Sequence, residues 1–158
     1  MTLLRTPSQT VGPFYAIGLC RSPENERVER GELRLIGQLL DGAGMPVSDG
    51  VIEIWDGVDR RWGRSGTDAD GRFSFVASKP RSTSGAAPHF DVFVFARGLL
   101  RHQLTRIYFP DEEGNDSDPV LSSLETGDRQ TLIAEQEDGA LRFDIRLQGD
   151  RQTVFFAH

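Results

Sequence analysis

Lysine and cysteine are almost missing from this sequence: Lys79 is the only lysine and Cys20 the only cysteine in 158 residues. A single thiol excludes an internal disulfide and the structural zinc clusters that need several thiolates. Long apolar runs are missing too. None approaches the roughly 20 residues that a membrane-crossing helix needs, which excludes a helical bilayer span. The opening MTLLRTPSQT has no apolar stretch of the secretory kind, so a cytoplasmic location is expected. Positive charge is in deficit, 18 Lys and Arg against 24 Asp and Glu for a net charge of -6. Without a basic surplus there is no counterion release to drive nucleic-acid binding, and nucleic acid is not an expected partner. No GxSxG elbow, glycine-rich phosphate loop or HExxH pair occurs, so hydrolase, nucleotide-binding and metalloprotease readings have no motif behind them.

What remains is enough for one domain with a real core. Residues 1–31 show no sustained period, and Thr6-Pro7, Gly12-Pro13 and Ser22-Pro23 push the chain toward extended or turn conformations. An extended N-terminal arm is expected there. From residue 32 to 158 short apolar stretches alternate with turn residues, the signature of an all-β sandwich or barrel. Strands are expected at 33–40, 51–55, 72–76, 89–97, 104–109, 131–134 and 141–147. Asp138-Gly139 suits a two-residue hairpin turn, and Asp68-Ala69-Asp70-Gly71 is a turn, not a calcium loop, since the glycine and glutamate of an EF-hand do not fall in place. One short helix is expected, with Asp118 as its cap and Pro119 at its first position.

The stretch 89–97 separates Phe90, Val92, Val94 and Ala96 from His89, Asp91, Phe93, Phe95 and Arg97 on the opposite face. His89 and Asp91 therefore project to the same side, within reach of one metal or one proton. A catalytic metal needs about three protein ligands. The other candidates, His102, His158, Tyr15 and Tyr108, are scattered, so a partly buried histidine oriented by a carboxylate is the plainer use of the pair. A metal site built on His89, Asp91 and a third residue is the rival reading. Arg97 ends an apolar strand before Gly98, which places a guanidinium at a strand edge where a ligand can approach. Cys20 has no sequence partner that would activate it. The terminal run Thr153-Val154-Phe155-Phe156 either pairs as a strand or covers a partner's surface, a core strand being its plainer use.

Strings spread over nearly the whole chain carry a resemblance. They are TPSQTVGPF (6–14), LIGQLLDGAGMPVSDGVIEIW (35–55), TDADGRFSF (67–75), APHFDVFVFARG (87–98), TRIYFPDE (105–112), RFDIRLQG (142–149) and TVFF (153–156). Together they resemble the intradiol ring-cleavage dioxygenases, and within them the alpha-type chains of the two-chain members. The resemblance implies a β-sandwich, a homologous beta chain as obligate partner in a higher-order hetero-oligomer, and a non-haem ferric iron held by two tyrosines and two histidines of that beta chain. The family's H-x-H string falls on His89 and Asp91, and no tyrosine stands between Trp55 and Thr67 or in residues 78–88. By resemblance, then, this chain binds no cofactor and contributes no catalytic group or metal ligand. It contributes Thr10, Gly12, Pro13 and Arg97 to a pocket for an aromatic substrate. The implied reaction opens 3,4-dihydroxybenzoate between its hydroxyl carbons with O2, giving 3-carboxy-cis,cis-muconate. The segments 21–31 and 57–66 are shorter than the family leads one to expect. Taken without the resemblance, the residues equally allow a stand-alone, non-catalytic sandwich that binds a ligand or protein.

Overall fold

A computed structural model describes residues 4–21, 31–83 and 85–157. The expectations placed on residues 22–30 and on His158 lie outside the described residues. Among the described residues nine strands form two sheets. Following the chain, they are β1 (Leu33–Leu40), β2 (Val51–Asp56), β3 (Arg61–Gly66), β4 (Arg72–Ala77), β5 (His89–Phe95), β6 (Gln103–Tyr108), β7 (Glu135–Glu137), β8 (Ala140–Arg142) and β9 (Ile145–Arg146). One sheet runs β4-β1-β8-β7, with β9 also on β1, and the other runs β3-β2-β5-β6. The all-β sandwich expected from the alternating pattern is what forms.

The core lies between the sheets because each strand turns its apolar alternates inward. Leu35 and Leu39 of β1 and Phe73 and Phe75 of β4 meet Ile52 and Ile54 of β2 and Phe90, Val92 and Val94 of β5 in one cluster. Tyr108, Leu121, Leu132 and Ala87 form a second cluster under the loops. Asp118 builds that corner: its carboxylate accepts from the backbone N–H of Val120 and Leu121 at 2.9 and 3.1 Å, from Ala87 N–H at 3.0 Å and from the Tyr108 hydroxyl at 3.1 Å. The expected capped helix is therefore present, as α2 (Pro119–Ser122).

Five expectations need correction. The arm is not extended throughout: α1 (Phe14–Leu19) starts behind Pro13, whose fixed φ of -61° suits a helix start instead of blocking it. Nor is there one short helix, since α3 (Thr126–Gln130) and a 3-10 turn (Glu113–Asp116) join α1 and α2. Residues 131–134 make only a single bridge, Ile133 beside Tyr108, because the chain leaves α3 and touches the end of β6 just once. Residues 141–147 are not one strand: the Asp144 side chain takes the Gln38 N–H at 3.1 Å and interrupts the ladder between β8 and β9. The tail likewise touches β6 through one bridge, Phe156 to Leu104, and does not form a strand. The strand β3 had no sequence expectation, since Arg61–Gly66 is polar and carries two glycines. Asp138 and Gly139 both take positive φ, 45° and 77°, as the hairpin turn requires.

β1 runs parallel to β8 and β9, and the approach is close at Gly37, where a Cβ would fall 2.0 Å from the Phe143 carbonyl oxygen. That neighbour is backbone and cannot swing aside. Gly37→Ala is expected to destabilise the chain by about 3 kcal/mol, the upper end of overpacking costs; a urea midpoint equal to the parent's would show that the two strands part without penalty.

Candidate functional site

The outer face of the β3-β2-β5-β6 sheet gathers most of the polar and aromatic residues singled out from the sequence. The antiparallel register sets them side by side: Trp62 opposite Trp55, Trp55 opposite Asp91, Asp91 opposite Arg106, and His89 opposite Tyr108. His89 and Asp91 do share one side, as their spacing requires. They are not a working pair, however, because the His89 Nε2 to Asp91 Oδ1 distance is 3.9 Å. His89 is oriented through Nδ1 by the Ala87 carbonyl at 2.7 Å, and not by a carboxylate as its neighbour suggested. Asp91 is turned toward Arg106 instead, whose Nε donates to Oδ1 at 3.0 Å.

Arg106 links this pair to the buried corner. Its Nη1 donates to the Tyr108 hydroxyl at 3.2 Å, and that hydroxyl donates onward to Asp118. Burial pushes the Tyr108 phenol up to about 12; Arg106 draws it down and Asp118 pushes it further up. Burial alone would lower Arg106, but its bond to Tyr108 and the charge of Asp91 outweigh that and raise it. The result is a neutral phenol, a permanent guanidinium and a carboxylate in contact with it.

Such residues do not fit a resident iron in this chain. The Asp91 oxygen facing the site is held by Arg106, the Tyr108 oxygen is engaged twice, and Asp118 is fully occupied by its four donors. Among the described residues no three His, Cys, Asp or Glu side chains group in a way that could hold a metal ion. A fixed cation stands where a metal would need open ligands.

The arm lies against the same face. Tyr15 of α1 packs on Phe95 with ring centroids 5.4 Å apart, and Phe95 in turn packs on His102 at 5.3 Å. Burial raises the Tyr15 phenol, and Glu53 beneath it raises it further against the pull of Arg64. Burial likewise raises the Cys20 thiol, which argues against a reactive thiolate. Between arm and sheet a mainly apolar cavity of about 370 Å³ is lined by Gln9, Val11, Tyr15, Phe95, Leu99 and His102. A larger one, about 510 Å³, opens beside the β4 edge, but two of its arginines are ion-paired, Arg72 with Asp70 and Arg142 with Asp144.

Of the four residues carried over by resemblance, the structure brings two strings together. The Thr10 hydroxyl accepts the Gly98 N–H at 2.8 Å, across 88 positions of sequence. Gly98 has φ +89° in a turn closed by Leu99 N–H to Ala96 C=O, so Arg97 sits at the corner of that turn. Arg97 is 61% exposed and ion-paired with Asp49. Gly12 accepts from Tyr15 N–H at 3.0 Å, and among the described residues nothing beyond its chain neighbours lies within 4 Å of where its Cβ would be. Pro13 caps α1. Asp49 and Arg106 were missed from the sequence as site residues. Continuing the β2–β5 register two residues past Val51 and Phe95 places Asp49 opposite Arg97, a signal that only the strand pairing reveals.

No sequence-family model matches the chain. Among solved structures it is similar to the dioxygenase domain of a carbohydrate-binding fusion from Streptomyces sp. SirexAA-E, with TM-score 0.61, 21% identity, and 91% of this chain and 99% of that chain covered. It is also similar to catechol 1,2-dioxygenase from Pseudomonas arvilla C-1, with TM-score 0.58, 22% identity, and 80% and 55% covered. The fold is thus that of the intradiol dioxygenases. Protocatechuate 3,4-dioxygenase alpha chains from Burkholderia cepacia and Pseudomonas putida are 38% and 35% identical to it, each over 98% of this chain and over 98% and 96% of their own lengths. The chain belongs to this family of alpha chains, as a subunit of an intradiol dioxygenase. The beta chain of Burkholderia cepacia is 28% identical over 72% of this chain and 63% of its own, so the two kinds of chain share ancestry. The alignments to the alpha chains are 194 positions long, more than the 158 residues available, which agrees with shortened connections here.

Two outcomes follow from the Arg106 network. Tyr108 ionises near 10 when unfolded and about 12 when folded, so its contribution to stability is complete below pH 10 and is lost as the pH climbs from about 10 toward 12. Denaturation of the parent and Tyr108→Phe across that range should show a steeper loss in the parent, since Tyr15 titrates in both; equal slopes would mean that the phenol is not shielded. Metal analysis of the purified chain should give no stoichiometric metal, unchanged in His89→Ala. Stoichiometric metal that disappears in the variant would refute the fit argued above.

Proposed function

We propose that this chain is the subunit without iron in a cytoplasmic two-chain dioxygenase acting on 3,4-dihydroxybenzoate, and that the homologous beta chain carries the ferric centre. On this reading the enzyme breaks the bond between the two hydroxyl-bearing carbons, adds one atom of O2 to each, and releases 3-carboxy-cis,cis-muconate. This chain's part is to complete the substrate pocket with Thr10, Gly12, Pro13 and Arg97, within a higher-order hetero-oligomer. The names of the relatives support the substrate, and the occupied state of Asp91 and Tyr108 supports the assignment of iron to the partner.

The observation that carries the pocket is the Thr10–Gly98 hydrogen bond, which joins the arm to the turn that bears Arg97 and does so at the surface. Phe14 is 81% exposed and Ile17 62%. The outer side of α1 thus presents apolar area beside Gly12 and Pro13, as expected of a segment that meets a second chain. Arg97 gives the pocket a guanidinium suited to the anion of a catecholic acid.

Co-purified with its beta chain, the Arg97→Ala enzyme is expected to lose roughly 10- to 100-fold in kcat/KM, the range for one charged hydrogen bond, while its iron content stays at the parent value. Unchanged kinetics would take Arg97 out of the pocket; lost iron would move the metal assignment toward this chain.

A further inference from the structure

Asp49 has so far appeared only as the counter-charge of Arg97, but its setting is built with care. It lies just before β2, in a turn that Thr67 holds from both sides: the Thr67 hydroxyl donates to the Val47 carbonyl at 2.7 Å and accepts the Gly50 N–H at 2.8 Å. Val47 N–H donates to the Leu39 carbonyl and Thr67 N–H to the Gly50 carbonyl, each at 3.0 Å. The turn cannot shift toward the core, because a side chain at Gly50 would already meet Leu39 at 2.5 Å. Asp49 is thus carried on a rigid support, and its side chain is only 15% exposed. Its Oδ2 is shut off from solvent and accepts no hydrogen bond of good geometry among the described residues, which leaves the Arg97 guanidinium as its charge partner.

The contact on the arginine is made through Nε, and no other ion pair holds Arg97 among the described residues. A guanidinium has two usable edges. With Nε turned to Asp49, the edge formed by Nη1 and Nη2 faces away and stays free for an anion in the bidentate manner that arginine favours. A flexible arginine on a surface loses this preference to rotamer freedom. One gripped by a shielded carboxylate does not.

We infer that Asp49 is a positioning residue for the substrate: it orients Arg97 so that the terminal edge of the guanidinium meets an anionic oxygen of the aromatic acid. This deepens the pocket reading above and rests on it. Asp49 touches no substrate in this scheme, and its effect passes entirely through Arg97. Continued two positions past its last pair, Val51 and Phe95, the β2–β5 register brings the two residues into line, in keeping with their ion pair.

The test uses the co-purified two-chain enzyme with Asp49→Asn, which keeps the size of the side chain and removes its charge, and with Asp49→Ala as a second variant. KM for 3,4-dihydroxybenzoate should rise roughly tenfold, with kcat much less affected and iron content and subunit ratio unchanged. The Kd for 4-hydroxybenzoate, a benzoate lacking one of the two hydroxyls, should weaken by a similar factor, which reads binding without turnover. Combined with Arg97→Ala, the Asp49→Asn change should add nothing, since its route has been removed. If Arg97→Ala is impaired while Asp49→Asn keeps the parent KM and Kd, the orienting role is wrong and the pocket reading stands. A double variant clearly worse than Arg97→Ala alone would show that Asp49 acts by another path and would also overturn the inference. If Arg97→Ala itself behaves as the parent, the pocket reading fails first.

Discussion

The antiparallel register joining β2, β5 and β6 is the constraint on which the rest of this molecule depends. Because alternate residues of a strand face opposite ways, fixing Ile54 and Val92 in the core fixes Trp55 and Asp91 on the other side. The same register sets Asp91 against Arg106, His89 against Tyr108 and, beyond the strand ends, Asp49 against Arg97. A slip of one residue would exchange the two faces. The apolar core therefore holds more than the fold: it determines which charges meet on the outer surface.

That surface has been given over to a closed chain of contacts. Asp91, Arg106, Tyr108 and Asp118 hand one another hydrogen bonds from the sheet to the buried cap of α2. At its buried end, removing Tyr108 or Asp118 leaves the other short of a partner away from solvent. The arrangement that steadies this corner of the sheet also engages the oxygens of Asp91 and Tyr108, on the intradiol dioxygenase fold.

Much of this was legible in the residues alone. Period-two alternation gave the strands of the core, Asp118-Pro119 gave a helix start, and Asp138-Gly139 gave a hairpin. The failures share a cause: they sit where side chains or neighbouring elements overrule local pattern. Asp144 reads as an outward residue of a continuous strand, yet its carboxylate displaces the ladder bond of Gln38. Pro13 reads as a breaker, yet it opens α1, which gains its place from Tyr15 on Phe95 and not from its own sequence. At the candidate site, Arg97 was visible from its position after an apolar strand. Asp49 was not, because nothing in VSDGV announces a partner 48 positions later. The carboxylate partner given to His89 was wrong for a related reason: spacing places two side chains on one face but does not say which neighbour each will prefer.

The chain's two tryptophans are Trp55 and Trp62, and they stand directly across from one another on the outer face, with the Arg64 guanidinium 4.6 Å above the Trp62 ring. Indole emission from this polypeptide therefore comes from one spot, in the same row as Asp91 and Arg106. The protein carries its own optical reporter, blind to the rest of the sandwich and sensitive to whatever approaches or leaves that single patch.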